Sequence, residues 1–178
     1  MTEKELGDLI QAKDPSVVVT AKTLADEVRL KNIKCNLCFD NMFFVPWIHR
    51  GGGLVLFWKN SIKLKVIALS KNHIDCLIDK DSDEAWHFTG FYGEPSTLKW
   101  CESWELLRQL NNRYDLPWLC LGDFNEVLRS LEKEGGSNCG HAQMQLFRDA
   151  VDECGFMDIG FTGPPFTWKQ FFSDGHTI

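Results

Sequence analysis

The chain of 178 residues has no apolar run near the roughly 18 residues a membrane-spanning helix needs. It opens Met1-Thr-Glu-Lys-Glu-Leu6, without the charged-then-apolar pattern of a secretory leader. Positive charge is in deficit: 19 Lys and Arg stand against 25 Asp and Glu, a net charge of −6. That excludes a surface that coats nucleic acid by charge alone, but leaves room for a narrow phosphate-handling groove. The seven cysteines are scattered. Cys35-Asn-Leu-Cys38 has no second pair at zinc-finger spacing, so buried, reduced thiols of an intracellular protein, nuclear or cytoplasmic, are the expected reading. Gly51-Gly-Gly53 lacks the Gly-Lys-Ser/Thr of a phosphate-binding loop, and a strand-like run follows it. These glycines read as a turn.

What is present is an apolar core supply of 44%, with 7 Trp and 13 Phe. At this length it suffices for one folded domain, taken as residues 1–178. Residues 2–12 have an apolar stripe and read as a helix, stopped by Asp14-Pro15. Ser16 to Thr20 has the β-branched density of a buried strand. A helix is expected over 23–33, with Asp26 and Glu27 in its first turn. Strands are expected at 39–45, 54–58, 62–67, 73–78 and 85–92, the last three pairing antiparallel in succession. Helices are expected over 101–113 and 143–154, the second stopped by Gly155. His73 and His87 stand alone on strand segments and read as hydrogen-bonded structural or surface histidines rather than catalysts.

The richest stretch is Leu116-Pro-Trp-Leu-Cys-Leu-Gly-Asp-Phe-Asn-Glu-Val127. Trp118 to Leu121 reads as a buried strand ended by Gly122. Asp123 and Asn125 follow at i and i+2, which in extended geometry share one face. A carboxylate beside a carboxamide can bind a hard cation and a phosphate oxygen. The same residues are also common turn formers.

Gly122-Asp-Phe-Asn125 resembles the GDFN signature of the endonuclease/exonuclease/phosphatase superfamily. Phe91-Tyr-Gly-Glu-Pro95, Gly51-Gly-Gly-Leu-Val-Leu-Phe-Trp58 and Gly163-Pro-Pro-Phe-Thr-Trp168 resemble further blocks of it, in order along the chain. The last is similar to endonuclease domains of plant non-LTR (LINE-type) retrotransposons. The resemblance implies an α+β fold: a four-layer α/β-sandwich of two packed, mainly antiparallel sheets flanked by helices. It implies Mg²⁺-dependent phosphodiester hydrolysis with DNA as partner, Tyr92, Asp123 and Asn125 as catalytic residues, and Asp123 and Asn125 also at the metal.

Departures from the family pattern temper that expectation. Seven residues beyond Pro15, where the family carries a metal-binding Glu, stands Lys22. Lysine donates only N–H groups and repels a cation. The family's preceding strand with an active-site Asn and its later Asp-bearing strand and Ser-Asp-His block have no counterpart; His176 in Ser173-Asp-Gly-His176 is wrongly spaced for that role. The expectation is a domain incomplete at both ends and weak or inactive as an enzyme. Its exposed sheet edges would favour self-association. Two other readings stand: a nucleic-acid- or phosphate-binding module in which Lys22 supplies the charge, and a functionless retroelement remnant.

Overall fold

A computed structural model describes residues 2–46, 53–135, 140–163 and 166. The chain forms two compact units: Met1–Tyr92 with Asp115–Asp123, and Gly93–Tyr114 with Phe124–Ile178.

The first unit holds both sheets. Helix α1 (Glu3–Lys13) starts at a capping box: the Thr2 hydroxyl accepts from the Glu5 amide, and the Glu5 carboxylate accepts from the Thr2 amide. Asp14, in left-handed geometry at φ 45°, closes it. One sheet has the order β1-β3-β2, with β1 (Val17–Thr23), β2 (Asn41–Val45) and β3 (Gly53–Trp58) antiparallel throughout. Helix α2 (Glu27–Asn36) begins later than the expected residue 23, because Thr23 still pairs with Gly53. Asp26 is its N-cap and accepts from the Arg29 amide at 2.8 Å.

The second sheet has the order β4-β5-β6-β7, from β4 (Leu64–Ser70), β5 (His73–Ile78), β6 (Trp86–Tyr92) and β7 (Trp118–Asp123). The first three strands pair antiparallel, as their succession along the chain led us to expect. The pair β6–β7 is parallel, in register from His87↔Trp118 to Tyr92↔Asp123. Parallel neighbours need a long crossover, and residues 93–117 provide it.

Strand β3 is buried on both faces, so alternation decides only which layer each residue serves. Leu54 and Leu56 join Ile74, Cys76, Ile78 and Phe88 in a core between the sheets. Val55 and Phe57 join Ile10 of α1 and Leu30 and Ile33 of α2 on the other face. Helices, sheet and sheet are thus stacked around two cores, the α+β sandwich that the resemblance implied.

In the second unit, α3 (Trp100–Asn111) and α4 (His141–Glu153) pack through buried Trp104, Leu107, Leu110, Met144, Phe147 and Ala150. The Trp104 and Phe147 rings stack at 4.6 Å. Gly155 follows α4 with φ 66°, the left-handed stop its sequence announced. The Gly51-Gly52 turn, Thr167-Trp168 and His176 lie outside the described residues.

Candidate functional site: an ion pair at the strand ends

Parallel pairing of β6 with β7 sets Tyr92 opposite Asp123 at the last step of the ladder. Gly122 makes that step possible. Its φ is 153°, and any Cβ there would collide with the Phe91 carbonyl. The strand therefore runs through Gly122 to Asp123, two residues farther than its apolar run suggested.

Lys22 reaches the same place from the other sheet. Between Thr20↔Val55 and Thr23↔Gly53, β1 carries one more residue than β3, a bulge at Ala21-Lys22. Lys22 takes φ 57° within it. The bulge aims its ammonium at β7, where Nζ lies 3.0 Å from Asp123 Oδ2. The same Nζ stands 5.6 Å from the centroid of the Tyr92 ring, a cation–π distance. Tyr92 is only 5% exposed, buried in the inter-sheet core. Its backbone is clamped by Asn72: the Tyr92 N–H donates to the Asn72 carbonyl, and the Asn72 amide donates to the Tyr92 carbonyl.

Asn125 belongs to the second unit. It has φ 53°, so the alternation argument for a face shared with Asp123 ends with the strand. Its side-chain N–H donates to the Gly93 carbonyl at 2.6 Å. Gly93 and Phe124 approach so closely that a Cβ on Gly93 would strike the Phe124 carbonyl.

This donor set does not fit a divalent cation. Such an ion wants several oxygen ligands, whereas Asp123 already faces an ammonium at ion-pair distance. Asp26 caps α2 and Glu27 pairs with Lys31 at 2.8 Å, so neither serves as a substitute ligand. Among the described residues no three His, Cys, Asp or Glu side chains converge in a metal-holding group.

The sequence model of the endonuclease/exonuclease/phosphatase family matches residues 4–176. The chain belongs to that family. Membership places it with nuclease- and phosphatase-type hydrolases, which generally use a divalent metal, and many of which take nucleic-acid substrates. A comparison with curated proteins returned no match. No described helix is long and apolar enough to cross a membrane.

A second polar constellation escaped the sequence reading. His87 Nε2 lies 2.5 Å from Asp75 Oδ1, with both side chains essentially buried. Thr89 Oγ1 donates to the same oxygen at 2.8 Å and accepts from Trp118 Nε1 at 2.9 Å. Trp118 also stacks on His87 at 5.0 Å. Burial pushes the Asp75 carboxyl upward. The hydrogen bonds from His87 and Thr89, with the charges of His87 and His73, outweigh it and hold the group below the usual carboxylate range. The signal was present as polar residues at every second position, 73 and 75, then 87 and 89, inside apolar strands. Only the register Asp75↔Thr89 shows that they meet.

Proposed function

We propose that the chain is a phosphodiester hydrolase domain of non-LTR, plant LINE-type retrotransposon origin, whose DNA-cleaving activity is weak or lost. Residues 1–178 are read as one such domain, in a nuclear or cytoplasmic setting. The observation that carries the reading is the register Tyr92↔Asp123, which brings two of the motif residues together where β6 and β7 end. In this reading Tyr92 donates its phenol to a phosphate oxygen, Asp123 handles the water proton, and Asn125 supplies a polar contact. Asp123 and Asn125 are the residues that would hold a divalent ion, which would supply polarisation of the phosphate; the Lys22 ammonium at Asp123 makes that set unfit for it here.

The same geometry supports low activity. The phenol lies in a buried ring under an ammonium, and the Asp123 carboxylate is engaged by Lys22. A plasmid-nicking assay with Mg²⁺, with Mn²⁺ and with EDTA tests the reading. The expected result is nicking at or near background, and whatever nicking occurs is abolished by Asp123→Ala. Robust turnover would refute the low-activity part. Nicking indifferent to Asp123→Ala and Tyr92→Phe would refute the site.

The half-exposed Lys22 ammonium favours one other reading, a phosphate- or nucleic-acid-binding module. It requires DNA binding that weakens steeply with salt and is lost in Lys22→Ala. Self-association through the outer strands, β4 among them, is proposed alongside and is read by sedimentation.

A further inference from the structure

The Lys22 arrangement is poorly explained as a device for stability. Its side chain is 54% exposed and that of Asp123 44%, the regime in which ion pairs contribute little. A left-handed conformation in a residue with a Cβ is itself unfavourable. Strain kept alongside an exposed ion pair of modest strength marks geometry retained for the site. The geometry is specific: the bulge of one sheet delivers a positive charge to a carboxylate at the strand end of the other, over an aromatic face.

We infer that Lys22 is a resident cation: its ammonium takes the place of a divalent ion at Asp123, joins the two sheets there, and makes this site metal-independent. This rests on the family reading only for the identity of the ion displaced. The positive charge is covalently part of β1, so its local concentration is fixed and a free cation must displace it against like-charge repulsion. Removing the ammonium while adding an oxygen ligand turns the junction into two facing carboxylates. These repel each other unless a divalent ion binds between them.

The test is thermal unfolding of the whole chain in 10 mM MgCl₂ or MnCl₂ against NaCl of equal ionic strength. Wild type, Lys22→Glu and Lys22→Glu/Asp123→Asn are compared, with Mn²⁺ binding followed separately by water-proton relaxation. Wild type is expected to shift by less than about 1 °C, because no site gains a ligand. Lys22→Glu is expected to unfold at lower temperature in NaCl and to recover by about 3–6 °C in the divalent salts, as for a millimolar site at ten-fold excess. It should also bind Mn²⁺ at least ten-fold more tightly than wild type, and the double variant should lose both effects. Should Lys22→Glu fold only with Mn²⁺ present, the inference is supported.

Wild-type stabilisation by Mg²⁺ that disappears in Asp123→Asn would overturn it. So would a folded Lys22→Glu that neither binds Mn²⁺ nor responds to it, or one that fails to fold in every salt. Nuclease activity is not a readout here. Nicking indifferent to Asp123→Ala and Tyr92→Phe would sink the hydrolase site and leave the resident cation untouched.

Discussion

At Asp75 a single protonation breaks a buried pair. Its folded pKa lies below the ordinary carboxylate value near 3.9, so its contribution to stability is full above that pH. It is lost as pH falls through the depressed folded value. Urea unfolding from pH 7 to pH 2.5 should show stability falling steeply below about pH 4. Asp75→Ala should flatten part of that fall and cost about 3–5 kcal/mol at pH 7, because it strips the carboxylate from a buried pair. An unchanged acid limb in the variant would assign the acid sensitivity elsewhere. The thiols offer an independent check. Burial first, and the neighbouring Asp75 second, push Cys76 up to about 12, whereas Cys35, Cys38 and Cys101 are exposed. At pH 8 a disulfide reagent should therefore modify those three in the native protein, while Cys76 reacts only on unfolding. Peptide mapping of the labelled sites decides it.

At the scale of elements, strand β7 depends on Gly122. A β-carbon there meets the Phe91 carbonyl, and the backbone angle is one that other residues rarely adopt. Gly122→Ala should destabilise by about 3 kcal/mol or more, through strain and through loss of the Tyr92↔Asp123 register. Near-wild-type unfolding in urea would show that the strand end can relax. Asp26→Ala tests the start of α2 more gently. Losing the bond to the Arg29 amide should cost about 1 kcal/mol, and Asn in its place should restore most of that. The helix start was misread for a traceable reason. Thr23-Leu-Ala-Asp-Glu reads equally well as a helical first turn, but sheet pairing holds Thr23 in β1 and leaves Asp26 as the first free cap.

Across the whole molecule, the two sheets are held together by side chains such as Leu56, fully buried between them. Leu56→Ala should cost about 2–5 kcal/mol in chemical unfolding, whereas Leu98→Ala, at a residue 94% exposed, should be nearly neutral. Equal effects would deny the inter-sheet core its role. The sequence by itself determined the element types, because turn residues and apolar periodicity are local: β5 was placed to the residue at His73–Ile78, and α3 within two residues at either end. It also determined the family, since ordered motif blocks survive in the chain text and the match runs over residues 4–176. It marked Lys22 as the residue out of place. Tertiary structure alone decided what that substitution does. A bulge depends on how many residues lie opposite it in another strand, and the meeting of Lys22 with Asp123 joins positions about a hundred residues apart. The Asp75–His87 pair likewise exists only once β5 and β6 are in register. Residue types and their spacing are written along one dimension, whereas register, bulges and ion pairs between sheets are fixed by packing in three.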